Sequence, residues 1–336
     1  MQACALAMKN AIPSIEQLDL YIKDSLLPQL SLEHSSYHFE LTDKGQRNII
    51  TYLFVEGFKP LVLKGTEKKR KAEHMSDGSQ HLRSHGINAP EIVHLDLSRK
   101  TFKQFGYYFV CEEKIEGKIC EELDNIMDFF PLVAEAFSRL HRIKRVRWGR
   151  FDGGKQSGLW RYLKNNIKER LQRLSAYKKL FTSEQCKLYW QWFTSNKDMI
   201  KSCKNFSLSH CDPHMHNIMV SDASEVYLLD NESLRYLPFS IDFYKLQYHF
   251  CQDDAEKIKR WQQAYFSHLP EGDAEEFNSN KDFFNCYVLL DFAQIEAYNL
   301  SRLKDKTENY IPYPLSLKRA RDLMEGIIKR KYTHAS

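Results

Sequence analysis

No C-x-x-C pair occurs among the eight cysteines of this 336-residue chain, which stand at 4, 111, 120, 186, 203, 211, 251 and 286. Thiols dispersed in this way argue against a disulfide framework and read as reduced, mostly buried residues of a cytoplasmic protein. No run approaches the ~18 apolar residues that a membrane-spanning helix requires. The opening "MQACALAMKNAIPS" has a short apolar stretch with no basic residue ahead of it. Its first charge, Lys9, follows that stretch, which argues against a secretory signal. Charge of one sign is not in marked excess either. A net charge of +5 is too mild for a nucleic-acid binder, yet compatible with an anionic ligand such as a nucleotide. Internal repeats and low-complexity segments are absent. What is there is ordinary: 43% apolar and 13% aromatic residues, enough to build one large or two modest domains.

The pattern changes along the chain. Residues 13–30 read as a helix with Ile15, Leu18, Ile22 and Leu26 on one face. "YHFELTDKGQRNIITYLFV" (37–55) then places two β-rich runs on either side of a glycine-centred turn, and "KPLVLKG" (59–65) reads as a third strand. Lysine-rich helical sequence follows, with Pro90 as its stop, and "FGYYFVCEE" (105–113) gives another strand. From about Leu123 the spacing is mostly helical. Phe130, Val133, Phe137 and Leu140 share one face, as do Leu159, Leu163, Ile167, Leu171 and Leu174. One β island, "IMV" (218–220) and "EVYLLD" (225–230), interrupts the helices.

The chemistry concentrates in "HCDPHMHNIMV" (210–220). His210, Cys211, His214 and His216 could ligate zinc, which favours nitrogen and sulfur at four tetrahedral positions, but no second cluster supplies ligands at a matching spacing. A second pattern weighs more. His210 and Asp212 are followed by Asn217, and a β hairpin later by Asp230 at the end of an apolar strand. An H-x-D-x-x-x-x-N loop, two short strands and an aspartate resemble the catalytic loop and metal-binding aspartate of protein-kinase-like phosphotransferases. One or two carboxylate or amide oxygens, completed by phosphate and water, suit magnesium.

The wording "H-x-D-x-H-x-x-N-I-M…L-D-x-E" narrows the resemblance to the aminoglycoside phosphotransferase and choline kinase group of small-molecule kinases. That resemblance implies an α+β, bilobal protein-kinase-like fold: a β-rich N-lobe over residues 1–112 and a mainly helical C-lobe over 113–336. It implies ATP (or GTP) with Mg2+, Asp212 as the catalytic aspartate, and Asn217 and Asp230 as metal ligands. Lys64 would meet the nucleotide phosphates under a covering turn with Gly45 and Asn48, and Glu73 (or Glu67) would hold that lysine. Glu113, Lys114 and Ile115 would form the hinge beside adenine, with Gly117 turning the chain onward. Asp242 would anchor the catalytic loop, and His141 reads as a packing residue. Cys211 stands where the family has a small glycine, Asn231 where it has tryptophan. D-F-G and A-P-E sequences, expected of a true protein kinase, are missing. The expected acceptor is a hydroxyl of a sugar, amino alcohol, aminoglycoside-type or glycan-core compound, and the alternative is a catalytically silent nucleotide-binding module.

Two stretches pull the acceptor in opposite directions. "RLHRIKRVRWGR" (139–150) is basic and aromatic; it suits an anionic acceptor or peripheral contact with a membrane surface, unless it is merely a solvated helix end. "CQDDAEK" (251–257) and "PEGDAEEF" (270–277) are acidic and would suit a cationic one. Neither decides, and oligomeric state stays open.

Overall fold

A computed structural model describes residues 14–42, 49–153, 157–176, 181–302 and 314–333. Ser14 and Gln17 form a reciprocal capping box that starts α1 (Ile15–Tyr21), and a π-helical turn (Ile22–Leu26) leads to α2 (Leu27–Gln29). Leu18, Ile22 and Leu26 are buried as their spacing predicts, whereas Ile15, at the first helical position, is 60% exposed. The expected hairpin is β1 (Tyr37–Leu41) against β2 (Ile49–Val55), in register from Tyr37↔Val55 to Leu41↔Thr51. Its turn, with Gly45 and Asn48, lies outside the described residues. β3 (Leu61–Thr66) follows, then α3 (Lys69–Ser84), β4 (Ile92–Asp96), α4 (Arg99–Phe105) and β5 (Tyr108–Glu113).

These strands form one antiparallel sheet in the order β1-β2-β3-β5-β4. Alternation sorts its two faces. Leu53, Val55, Leu61, Leu63, Phe109 and Cys111 pack with Leu18, Tyr21, Ile22 and Leu26 on one side, where the Tyr21 ring stacks 3.9 Å from Phe109. Ala72 and Met75 of α3 cover Val110 on the other. Two expectations need correction here. Between the lysine-rich helix and the strand at 105–113 the chain also forms β4 and α4, which the sequence pattern does not announce. And α3 ends at Ser84, well before Pro90, because Gly86 takes a left-handed φ of +72° and lets the Ile87 N–H close onto the Leu82 carbonyl.

The chain continues through β6 (Gly117–Ile119), α5 (Phe130–His141), β7 (Lys144–Arg145), β8 (Gly149–Arg150), α6 (Leu159–Ser175), α7 (Ser183–Ser195) and α8 (Lys197–Ser202). β9 (Phe206–Ser209), β10 (Ile218–Ser221), β11 (Val226–Leu228) and β12 (Arg235–Leu237) precede four helices: α9 (Ser240–Cys251), α10 (Ala255–Phe266), α11 (Glu271–Arg302) and α12 (Leu317–Thr333). Both apolar stripes read from the sequence, Phe130 to Leu140 and Leu159 to Leu174, are buried. The β island is not alone, however. A second sheet, ordered β7-β9-β12-β8, runs through the helical region. Its strands hold two to four residues each, too few for an alternation to stand out.

The chain divides into two compact units, Met1–Lys118 with Met219–Ser233, and Ile119–Ile218 with Leu234–Ser336. That division differs from a single boundary after residue 112. The segment 219–233 joins the first unit because Asp222 N–H bonds the Glu116 carbonyl, Leu228 N–H the Asn88 carbonyl, and Asn231 Nδ2 the Ser79 hydroxyl. No helix among the described residues is long and apolar enough to cross a membrane.

Candidate active site

In the first unit the centre of charge is Lys64. It lies opposite Val110 on the sheet face that α3 covers, and Glu112, two residues further along β5, shares that face. The Lys64 ammonium meets Glu112 Oε1 at 2.7 Å and Asp230 Oδ1 at 2.7 Å, with the lysine and Glu112 side chains buried and Asp230 partly exposed. Burial works against the charge on Lys64, but the two carboxylates outweigh it and hold the ammonium firmly protonated. Burial pushes Glu112 up, against the pull of Lys64. Two acids for one ammonium leave an excess negative charge, a setting that fits an additional cation.

Here the structure corrects an expectation. Neither Glu73 nor Glu67 holds Lys64. Glu73 sits beside Lys69, 3.9 Å away at the start of α3, because the inward face of that helix belongs to Ala72, Met75, Ser76 and Ser79. The missed partner, Glu112, had a signal: a carboxylate inside the otherwise apolar run "YFVCE", in phase with Val110.

Asp230 itself adopts a left-handed backbone, φ +55°, which aspartate tolerates better than most residues. The turn after it (Asn231–Ser233) is wedged under α3. Asn231, in the position expected to hold tryptophan, is buried and donates to Ser79 Oγ (3.1 Å) and the Leu228 carbonyl (2.9 Å). Lys71 pairs with Glu232 at 2.9 Å. Gly78, in the middle of α3, permits this approach, since a Cβ there would lie 2.2 Å from the Asn231 carbonyl oxygen.

At the expected hinge, the Glu113 N–H bonds the Glu91 carbonyl and the Lys114 N–H the Pro60 carbonyl, both at 2.9 Å. Their side chains are engaged too: Glu113 with Lys59 and Arg83, Lys114 with Glu116. Only the Ile115 N–H of the three lacks a hydrogen-bond partner among the described residues. Gly117 follows with φ +150°, where a Cβ would meet the Val220 carbonyl at 2.2 Å.

In the second unit the centre is the turn after β9. His210 is buried, Cys211 is left-handed at φ +70°, and the Asp212 side chain is 56% exposed. Asp242, fully buried at the start of α9, accepts both the His210 N–H (2.6 Å) and the Cys211 N–H (3.0 Å). His141 Nε2 lies 3.4 Å from the same carboxylate, and its Nδ1 contacts the Tyr265 hydroxyl. Burial raises Asp242, but the His141 hydrogen bond and the charges of His141, His210 and Lys245 prevail and hold it below its ordinary value. Asp242 is thus an anchor for the loop, and His141 supports the anchor. Lys245, one turn along α9, joins the same support. Its ammonium donates to the Cys211 carbonyl at 2.7 Å and pairs with Asp291 at 3.5 Å. The spacing D-x-x-K on a helix that also anchors the loop was its only sequence signal.

The Asp212 carbonyl accepts the His214 N–H and Asn217 Nδ2, both at 3.0 Å. That bond leaves Asn217 Oδ1 as the amide atom able to face a cation. His214 lies 3.8 Å from the Asp212 carboxylate and His216 3.1 Å from Glu121. Among the described residues no group of three or more histidine, cysteine, aspartate or glutamate side chains is placed to hold a metal.

Solved structures share this α+β, protein-kinase-like fold. The aminoglycoside phosphotransferase APH(4)-Ia aligns with a TM-score of 0.65 at 10% identity, over 94% of this chain and 99% of that one. A putative aminoglycoside phosphotransferase from Ralstonia eutropha aligns at 0.60 and 14% identity, over 95% and 99%. Plasmodium vivax ethanolamine kinase aligns at 0.59 and 15% identity, over 97% and 93%. No match was found among curated proteins. The model of the phosphotransferase enzyme family matches residues 40–275, and the chain belongs to that family. It is an enzyme, a phosphotransferase.

Proposed function

We propose that the enzyme transfers the γ-phosphoryl group of ATP (or GTP) to a hydroxyl of a small molecule in the cytoplasm. Asp212 accepts the hydroxyl proton as the new bond forms. Lys64 holds the phosphates, with Gly45 and Asn48 in the covering turn. Asn217 Oδ1 and the Asp230 carboxylate hold Mg2+, in keeping with the excess acid around Lys64. The metal, when bound, would offset negative charge on the phosphates and the transferring group. Ile115, with its uncommitted N–H, meets the adenine edge beside Glu113. The seven cysteines of the described residues are all free thiols, which supports a reducing compartment. Relatives in fold act on aminoglycosides and ethanolamine, so sugars, amino alcohols and glycan-core hydroxyls form the acceptor range.

The observation that carries this reading is the Asp212 turn: an exposed carboxylate on a backbone pinned by Asp242 and Lys245. Pinning matters because a general base works only when held in place. Asp212→Ala is expected to fold and bind nucleotide yet turn over at least about a hundredfold more slowly. ADP release measured on the accepted substrate tests this, and wild-type rates in the variant would refute the assignment.

A further inference from the structure

The basic stretch 139–150 is mostly engaged within its own unit. Arg142 donates to the His268 carbonyl at 2.7 Å, Lys144 pairs with Asp273, and Arg145 lies 4.2 Å over the Tyr236 ring and donates to the Arg150 carbonyl. Arg150 stands apart. Across the second sheet it lies directly opposite Arg235, whose other neighbour is Ser209, three residues before Asp212. Like charges directly opposite on paired strands repel, and here both side chains are half-buried. Asp152 meets Nε of Arg150 at 3.1 Å, but the buried Nη2 of Arg150 has no hydrogen-bond partner among the described residues. Arg235 rests 5.7 Å over Tyr162, which packs in turn on Trp148, and no carboxylate among the described residues pairs with it.

Most acidic groups of the two acidic stretches that the structure describes are already engaged. Asp253 pairs with Arg319, Asp254 caps α10, Glu256 pairs with Arg260 and Asp273 with Lys144. Two arginines on opposed positions of paired strands, one with a donor that has no partner among the described residues, carry the fork chemistry that matches the planar oxygens of a carboxylate or phosphate. We propose that Arg150 and Arg235 bind the acidic group of the acceptor, so that the enzyme phosphorylates a hydroxyl compound bearing a carboxylate or phosphate. The inference rests on Asp212 as the acceptor-side aspartate, and it deepens that reading.

The test uses the full chain saturated with Mg2+ and AMP-PNP, so that added anions do not enter the nucleotide site. Glucuronate and glucose 6-phosphate are titrated separately by calorimetry, which distinguishes a carboxylate from a phosphate. Binding of at least one probe is expected, weakened tenfold or more in Arg150→Gln and in Arg235→Gln, with AMP-PNP affinity and melting temperature unchanged. Arg235→Lys, which keeps the charge without the fork, should recover part of the loss. Failure of both probes to bind, or equal binding by wild type and both Gln variants, would overturn the proposal. Turnover confined to cationic amino alcohols or aminoglycosides and unaltered in the variants would do so too, leaving the kinase reading intact. Absence of AMP-PNP binding in the wild type would instead strike the kinase reading itself.

Discussion

Two of the turns that carry candidate site aspartates have left-handed backbone, and they are held in different ways. In the second unit the strained residue is Cys211, φ +70°, and the aspartate follows it. In the first unit the strained residue is the aspartate itself, Asp230, φ +55°. The Cys211 turn hangs on charge: Asp242 grips two N–H groups and Lys245 one carbonyl. The Asp230 turn has ion pairs as well, to Lys64 and from Glu232 to Lys71, but adds close packing, with the Asn231 carbonyl set against the bare Cα of Gly78. Electrostatic support responds to charge and pH, whereas steric support does not, and this difference can be measured.

The largest effect is expected at Asp242. Asp242→Ala strips two buried N–H groups of their acceptor and leaves Lys245 and His141 short of a negative charge. Breaking a buried charged network in this way costs about 3–5 kcal/mol, measurable by urea unfolding. pH sharpens the point. The folded carboxyl sits below its ordinary value of 3.8, so on acidification the unfolded chain takes up the proton first. Its stabilisation is therefore complete above that value and drains away as pH falls below it. Wild type should lose stability more steeply than Asp242→Ala in that range. Parallel slopes would remove the distinction between the two turns.

Gly78→Ala probes the packed turn and comes next. Alanine gains roughly 1 kcal/mol of helix propensity over glycine, yet its methyl would meet the Asn231 carbonyl at 2.2 Å. Overpacking against backbone costs about 1–3 kcal/mol, so the clash wins and the variant melts lower. The loss should not vary with pH. A rise in melting temperature would show that α3 yields easily, and that the Asp230 turn is not held by shape.

The same contrast explains what the sequence made legible. β2 alternates buried and half-buried residues through Ile49–Val55, and α5 and α6 repeat their apolar stripes over three or more turns. Periods of that length survive without knowledge of the fold. The short strands β7, β8 and β12 hold two or three residues each; β7 and β12 draw their pairing from β9 and β8 draws its own from β12, so no local signal announces them. The anchoring role of Asp242 was legible only through the family resemblance, which places a further aspartate after the loop. Glu112 and Lys245 left only a single local trace each and Arg235 none, because each matters through a neighbour supplied by another strand or turn: Asp230 beside Lys64, Arg150 across the sheet, the carbonyl of Cys211.

The smallest effect is expected where glycine was anticipated and cysteine stands. At φ +70° a Cβ crowds the following carbonyl, a strain on the order of 1 kcal/mol that glycine escapes. Cysteine offers little in return. Its sulfur reaches the Ser209 carbonyl at 3.5 Å, and burial, with Asp242 nearby, drives the thiol well above its ordinary range and keeps it unreactive. Glycine in turn loses more freedom on folding, by about 0.5–1 kcal/mol, which nearly offsets the relief in the wild-type comparison. The cleaner measurement pairs two variants. Cys211→Ala loses the sulfur and keeps the strain, while Cys211→Gly loses both, so the glycine variant should be the more stable by several tenths of a kcal/mol or more, up to about 1. If alanine proves equal or better, the grip of Asp242 and Lys245 has already absorbed the strain. The Cys211 turn would then be held as rigidly by charge as the Asp230 turn is by shape.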